Sequence, residues 1–192
     1  QSASDHTRGI SIDAVKHYLN RLPDRSKVKK INAGVSNTSD TTLNVYYLPE
    51  EFIDENNLPY WLKGCNKLNS YHFAHKAFNL TEFVQIDRVK VLTPSELFYQ
   101  EKLRKIKYFQ VDTEGHDSTI LKSLWKFLYF LPNEFYPTRI VFESNHLSSF
   151  TETMEVIDLF LSLGYSIYQI GEHDSVLQYS IRSSENLILN IP

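Results

Sequence analysis

Apolar residues recur along this chain in two alternating patterns. Short runs rich in β-branched and aromatic residues are typical of buried strands, whereas apolar residues spaced three and four apart are typical of amphipathic helices. The first pattern predicts strands at 9–13, 28–35, 42–48, 83–92, 107–111, 139–142 and 165–170. The second predicts helices at 14–22, 94–104, 120–128 and 154–163.

Strands that alternate with helices predict an α/β fold, a doubly wound and mainly parallel sheet covered by helices on both faces. The tail at 176–189 has room for one or two more strands with no helix between them, which favours antiparallel edge strands. At 192 residues the chain is expected to form one domain, 1–192.

The segment 49–82 has no clean period and is predicted to be an ordered insertion. It carries Trp61, Asn66 and His72, whose aromatic faces and polar groups suit the mixed polarity of a sugar, so we expect it to form a lid over an acceptor. The alternative is a surface loop anchored by a buried tryptophan. Cys65, the single cysteine, is expected to be a packed residue and not a nucleophile.

Charge and composition narrow the classes of partner. The formal net charge is -3 and the cations are scattered, so no continuous basic face for nucleic acid is expected. No apolar stretch approaches the ~20 residues that span a membrane, so no membrane partner is expected. One cysteine suits a reducing compartment, and the cytoplasm is the expected location.

Three predicted strands end in acids, namely Asp13, Asp112 and Glu143. Each could simply cap the following helix. Because the carboxyl ends of parallel strands meet at one sheet edge, where ligands bind in such folds, we expect the three to converge. Asp13 lies directly before a helix, where a carboxylate can accept both hydroxyls of a ribose, which indicates a nucleoside-containing cofactor.

The segment 112–117, Asp-Thr-Glu-Gly-His-Asp, places four ionisable side chains around a glycine at the same predicted edge. A solvated turn whose acids cap the next helix would also explain it. The density of charge favours a functional loop.

These segments resemble the FkbM-type methyltransferases. The residues at 107–117, Lys-Tyr-Phe-Gln-Val-Asp-Thr-Glu-Gly-His-Asp, followed by the apolar pair at 120–121, resemble the family signature, a strand leading into Asp-x-Glu-Gly-x-Asp/Glu. The segment 31–37 is similar to the family's third strand, and 141–145 to its later glutamate-containing strand. The segments 9–13, 18–23 and 58–66 look most like a subgroup from large DNA viruses and algae, which implies a viral protein of the host cytoplasm.

The resemblance implies a Rossmann-like class I methyltransferase fold and transfer of a methyl group from S-adenosylmethionine to a hydroxyl of a sugar or glycan. It places the cofactor ribose at Asp13 and the adenine near the turn at 33–36. The implied cofactor-binding residues are Asp13, Ala33, Val35 and Ser36, the implied catalytic residues are Asp112, Glu114, His116 and Glu143, and the implied acceptor-binding residues outside the insertion are Asn145 and His146.

The family's glycine-rich loop, which follows its first strand, has no counterpart here. Only eight residues precede Gly9, so we expect the first strand and that loop to be missing, with Ser4 and Asp5 as the remnant of the loop. The domain would then be excised from a larger protein. We accordingly expect a gap in the sheet between Asp5 and Gly9.

Methyl transfer to an alcohol needs aligned reactants and a base. His116 is the expected base, because neutral imidazole is abundant near pH 7, with Asp112 and Glu143 orienting it or binding acceptor hydroxyls. A divalent cation is the second option, since Asp112, Glu114 and Asp117 offer the oxygen ligands that Mg²⁺ or Ca²⁺ prefers.

Two other classes of function stay open. The chain could be a non-catalytic binding module that kept a methyltransferase fold, or an α/β enzyme that uses another nucleotide cofactor such as a nicotinamide. Titration with S-adenosylmethionine and with NAD separates these hypotheses, because a module would bind neither.

Overall fold

The computed structural model describes residues 8–39, 41–144, 149–171 and 173–180. This part of the chain contains ten β-strands and six α-helices in three sheets, so the predicted mixture of strands and helices is confirmed.

The strands are β1 Gly9–Asp13, β2 Val28–Asn32, β3 Gly34–Val35, β4 Thr42–Tyr47, β5 Lys67–Leu68, β6 Gln85–Leu92, β7 Tyr108–Val111, β8 Arg139–Glu143, β9 Tyr165–Ile170 and β10 Asp174–Tyr179. The helices are α1 Lys16–Arg21, α2 Glu50–Glu55, α3 Phe73–Ala77, α4 Pro94–Gln100, α5 Asp117–Leu128 and α6 Phe150–Ser162. Three short 3₁₀ helices span Tyr60–Lys63, Thr81–Phe83 and Asn133–Phe135.

The largest core lies under the sheet ordered β7-β8-β10-β9. In this sheet β7 and β8 are parallel, whereas β10 is antiparallel to both β8 and β9. Helix α5 buries Ile120, Leu121, Leu124 and Leu128 against this core, because residues at these spacings share one helix face. The loop after β7 is therefore anchored to the most heavily packed part of the described chain.

The segment 33–36, predicted to lie near the adenine, connects the other two sheets. Strands β1 and β2 form a parallel pair connected through α1. Strand β3 runs parallel to β6, and β4 runs antiparallel to both β6 and β5.

The prediction of one mainly parallel sheet is wrong. Across the described ranges, three strand pairings are parallel and four are antiparallel. The predicted strand at 28–35 is also divided. The N–H of Ala33 donates to the carbonyl of Asp13, but the N–H of Ser36 donates to the carbonyl of Leu92, so the backbone changes its partner from β1 to β6 within three residues.

The gap in the sheet that was predicted between Asp5 and Gly9 can be examined only on the Gly9 side. Strand β1 pairs with β2 alone and β7 with β8 alone within the described residues, so β1 and β7 do not close a sheet together. Asp5 lies outside the described residues, as does the part of the predicted tail beyond residue 180.

The segment 49–82 contains α2, α3, β5 and two of the 3₁₀ helices. A small core is formed by Leu48 and five residues of this segment, Ile53, Leu62, Cys65, Ala74 and Leu80. Trp61 is not a buried anchor, because half of its surface (51%) is exposed. Among the described helices, none has the length and apolar character needed to cross a membrane.

Candidate functional site

The loop between β7 and α5 turns sharply at Glu114 and Gly115. Their φ angles are 54° and 89°, so two consecutive residues adopt the left-handed region. Glycine enters this region without steric cost, but a residue with a Cβ does so at a cost of roughly 1–2 kcal/mol. Glu114 is therefore held in an unfavourable backbone conformation at the carboxyl edge of the sheet, as functional residues often are.

Asp117 connects this loop to the end of β8. Its Oδ1 accepts hydrogen bonds from the N–H of Thr113 at 2.9 Å and from the hydroxyl of the same residue, and its Oδ2 accepts the N–H of Glu143 at 2.8 Å. Burial raises the pKa of Asp117, and these hydrogen bonds oppose that shift. Both carboxylate oxygens of Asp117 thus fix the backbone that carries Asp112 and Glu143.

Three carboxylates meet at this edge. One oxygen each from Asp112, Glu114 and Glu143 lies within 4.8 Å of the other two, a spacing that one cation could bridge. Asp117 is not part of this group, so the three close carboxylates differ by one member from the predicted metal ligands. Burial raises the pKa of Asp112, and the charges of Glu114 and Asp117 raise it further.

His72 of the insertion binds Glu114 directly. Its Nε2 lies 3.1 Å from Glu114 Oε2, and its Nδ1 accepts the N–H of Ala74 at 3.2 Å. Because Nδ1 is an acceptor, the hydrogen of the neutral ring must be on Nε2, which donates to the carboxylate. His72 is 2% exposed. It orients Glu114 and has no free lone pair to act as a base.

Other residues of the insertion also approach Glu114. A Cβ placed on Gly64 would lie 3.8 Å from Glu114 Oε1. Burial raises the pKa of the Cys65 thiol to about 12, and the nearby charges of Glu114 and Glu143 contribute to that shift. The thiol is therefore protonated at neutral pH, in line with the predicted packing role. The insertion therefore contacts the acidic group at Glu114.

His116 lies beside the segment predicted to bind the cofactor. Its Nε2 is 2.9 Å from the hydroxyl oxygen of Ser36, which is 3% exposed. Ser36 Oγ in turn donates to Asn37 Oδ1 at 3.3 Å, so Nε2 carries the hydrogen and donates to Ser36. The unprotonated nitrogen of His116 is then Nδ1.

His116 is suited to stay neutral. Burial lowers the pKa of its ring, the positive charge of Lys67 lowers it further, and the negative charge of Asp117 opposes both. A neutral imidazole can accept a proton, whereas imidazolium cannot.

Asp13 lies apart from the three clustered acids. Its Oδ1 accepts the N–H of Val15 at 2.8 Å, while Oδ2 has no hydrogen-bond partner in the part of the chain that the structure describes. Burial raises the pKa of Asp13. The prediction that all three strand-end acids converge is thus met by Asp112 and Glu143 but not by Asp13.

The remaining predicted residues are placed as follows. Ala33 is buried and Val35 pairs with Leu92 in β3, next to Ser36. Asn66 donates from Nδ2 to the carbonyl of Gly64 at 3.2 Å. Ser4, Asp5, Asn145 and His146 lie outside the described residues.

Sequence reasoning missed two pairings, His72 with Glu114 and Ser36 with His116. The partners are 42 and 80 positions apart, and no local pattern signals such long-range contacts.

Comparison with protein-family models, with curated proteins and with solved structures found no match to this chain.

Proposed function

We propose that this chain is an S-adenosylmethionine-dependent O-methyltransferase that acts on a hydroxyl of a sugar or glycan, with a Rossmann-like methyltransferase fold and His116 as the base. One contact carries the proposal, the hydrogen bond between His116 Nε2 and Ser36 Oγ at 2.9 Å. It joins the turn predicted for the cofactor to the loop predicted for the acceptor. A group-transfer enzyme needs its two reactants adjacent in this way.

His116 accepts the proton of the acceptor hydroxyl at Nδ1. The hydrogen on Nε2 is held by Ser36 Oγ, so the ring presents its lone pair in a fixed direction. The lowered pKa of His116 keeps this lone pair available at neutral pH. General base catalysis of this kind contributes a factor of ~10² to 10⁴ in rate.

The carboxylates bind and orient the acceptor. Asp112, Glu114 and Glu143 offer several acceptor oxygens within 4.8 Å of one another, which suits the neighbouring hydroxyls of a sugar ring. Glu114 is fixed by His72, so its oxygens are ordered before the acceptor binds. This preorganisation reduces the entropy lost on binding.

The residues predicted to bind the cofactor, Asp13 and the turn at 33–36, have polar groups that suit it. S-adenosylmethionine supplies the methyl group when bound. Asp13 has one oxygen engaged by Val15 and the other available to a ribose hydroxyl. The turn at 33–36 begins beside it, because the N–H of Ala33 donates to the carbonyl of Asp13. The antiparallel arrangement of β9 and β10 is compatible with the edge strands of the methyltransferase fold.

A second mechanism has a specific observation in its favour. Because Asp112, Glu114 and Glu143 are close enough to share one ion, a Mg²⁺ or Ca²⁺ could polarise the acceptor hydroxyls in place of a base. The two mechanisms predict different sensitivities to a chelator and to substitution.

The test begins with calorimetric titration of the purified protein with S-adenosylmethionine and with NAD. We expect S-adenosylmethionine to bind and Asp13→Ala to weaken binding by roughly 1.5–3 kcal/mol, since a charge-assisted hydrogen bond is lost. Asp24→Ala is the matched control, because this aspartate pairs with Lys30 at the surface. Binding of NAD alone would support a nicotinamide enzyme, and binding of neither would support a non-catalytic module.

Turnover with a glycan acceptor then separates base from metal. His116→Gln keeps a side chain that can hydrogen-bond to Ser36 but cannot take up a proton, so we expect turnover to fall by ~10² to 10⁴ with unchanged cofactor affinity. Loss of turnover on adding a chelator, with a larger defect in Asp112→Ala than in His116→Gln, would favour the metal mechanism.

A further inference from the structure

An open groove lies beside the candidate site, between the end of α1 and the 3₁₀ helix Tyr60–Lys63. Its volume is about 590 Å³, and Tyr18, Arg21, Leu22, Tyr60, Trp61, Lys63 and Gly64 line it. Binding sites for small molecules commonly measure ~300–1,000 Å³, so the groove is large enough for more than one sugar unit.

Two of the three aromatic residues that line the groove are unusually accessible. Tyr60 is 74% exposed and Trp61 is 51% exposed. Both rings are nevertheless held in place, since the ammonium of Lys63 lies 4.9 Å from the centre of the Tyr60 ring and Trp61 packs edge-on against Phe78 at 5.6 Å. Exposed but ordered aromatic faces favour stacking of an apolar ligand surface, such as the C–H face of a sugar.

The charges of the groove are balanced within the protein. Glu50 forms ion pairs with both Arg21 and Lys63, and Lys63 also pairs with Asp54 at 2.6 Å. Two cations thus face two acids, and an anionic ligand would have to displace a carboxylate. A neutral polyhydroxylated ligand instead meets both donors and acceptors.

Gly64 joins the groove to the acidic group. It lines the groove, and a Cβ at this position would lie 3.8 Å from Glu114 Oε1. At Gly64 the groove therefore comes close to Glu114, one of the three carboxylates that we assign to the acceptor.

From these observations we infer that the acceptor is a neutral oligosaccharide and not a free monosaccharide. The unit to be methylated binds at Glu114 and His116, and the adjoining units bind along the groove by stacking on Trp61 and Tyr60. This inference rests on the proposed function for the placement of the reacting unit.

The test uses the intrinsic fluorescence of Trp61 in the Trp125→Phe background, because these are the two tryptophans of the chain. The probes are neutral gluco-, galacto- and manno-configured tetrasaccharides, their monosaccharides and a sulfated tetrasaccharide. We expect at least one neutral tetrasaccharide to bind about 10-fold or more tightly than its monosaccharide. Equal affinities, no binding by any neutral tetrasaccharide, or tighter binding of the sulfated probe would overturn the inference.

Variants then locate the contact by calorimetry. Trp61→Ala and Tyr60→Ala should each lower tetrasaccharide affinity about 3- to 10-fold and leave monosaccharide affinity unchanged. Phe130→Ala, which removes another exposed aromatic side chain, is the control and should change neither affinity. If Trp61→Ala leaves tetrasaccharide affinity intact, the groove is not the subsite. If affinity is lost, an unchanged thermal unfolding temperature of the variant excludes misfolding as the cause.

Cofactor binding distinguishes the two proposals. Binding of S-adenosylmethionine without any preference for tetrasaccharides would refute the groove inference alone. Preference for tetrasaccharides that depends on Trp61, without binding of S-adenosylmethionine, would refute the proposed methyl transfer and leave the groove as a glycan-binding site.

Discussion

The sheet β7-β8-β10-β9 and the insertion at 49–82 contribute to the same site in different ways. Beneath the sheet, the described chain buries a cluster of thirteen hydrophobic residues, whereas the insertion contributes five to its own cluster. The sheet provides the backbone positions of Asp112 and Glu143 at its carboxyl edge. The insertion provides the side chain of His72, which fixes Glu114. Stability and orientation of the acids therefore come from separate parts of the chain.

This division has a physical basis in packing. A large core stabilises long helices such as α5 and α6, because a long helix can present a continuous buried face to it. Short helices such as α3 bury few residues and depend on local hydrogen bonds such as the cap at His72. Changes in the insertion should hence disturb the site at a smaller cost in the free energy of unfolding than changes under the sheet.

The largest expected effect compares one leucine from each core. Leu124→Ala removes a fully buried side chain under the sheet and should lower the free energy of unfolding toward the upper end of ~2–5 kcal/mol. Leu62→Ala, which removes a side chain that is 1% exposed, should cost toward the lower end, because the smaller insertion core can collapse around the cavity. Urea denaturation of both variants measures the difference.

Hydrogen exchange extends that comparison. In Leu62→Ala, amides of α2 and α3 should exchange faster while those of β7 and β8 stay protected. In Leu124→Ala, protection should fall in all of these elements together. Equal losses of stability, with uniform loss of protection in both variants, would mean that the two regions unfold as one unit.

An intermediate effect is expected at His72, where capping and orientation can be separated. His72→Ala removes both the contact with Glu114 and the acceptor for the N–H of Ala74, and loss of a helix cap costs ~0.5–2 kcal/mol. Asparagine is a strong N-cap, so His72→Asn should retain the cap but not reach Glu114. We expect His72→Ala to be less stable than His72→Asn by about 1 kcal/mol in urea denaturation.

Affinity for the glycan acceptor should respond differently from stability. Both His72 variants should lose affinity alike, because Glu114 is no longer held in either. If His72→Asn binds acceptor as well as the unmodified protein does, His72 has only a structural role as a cap. Ser149, the N-cap residue of α6, forms no side-chain capping bond, so Ser149→Ala serves as a control for both measurements.

The elements could be predicted from local sequence where local physics decides them. Thr93 caps α4 and forms a reciprocal hydrogen-bond pair with Glu96, as the sequence Thr-Pro-Ser-Glu predicts. The apolar face of α5 was likewise evident from residues such as Leu121 and Leu124. Strand partners were not, because a strand-like segment such as 28–35 looks the same whether it stays in one sheet or changes sheets at Ala33.

The site was predictable to a similar extent. The loop at 112–117 was apparent because four ionisable residues crowd around Gly115. The separate roles of its two aspartates were not apparent, because Asp112 and Asp117 look equivalent in sequence. The packing of β8 against the loop determines that Asp117 binds backbone N–H groups while Asp112 lies with Glu114 and Glu143.

The smallest expected effect tests whether Lys67, in strand β5 of the insertion, changes the pKa of His116. Lys67 of β5 lowers the pKa of His116, because a nearby positive charge disfavours the imidazolium form. Lys67→Ala should therefore raise the pKa of His116. Since the base must be neutral, turnover is lost as pH falls through this pKa, and the acid limb of kcat/KM should move to higher pH.

The ring proton shift of His116, assigned with His116→Gln, follows the same titration by NMR. Lys76→Ala is the control, because Lys76 is not among the charges that shift the pKa of His116. A pKa that is unchanged or lower in Lys67→Ala would contradict this role of Lys67.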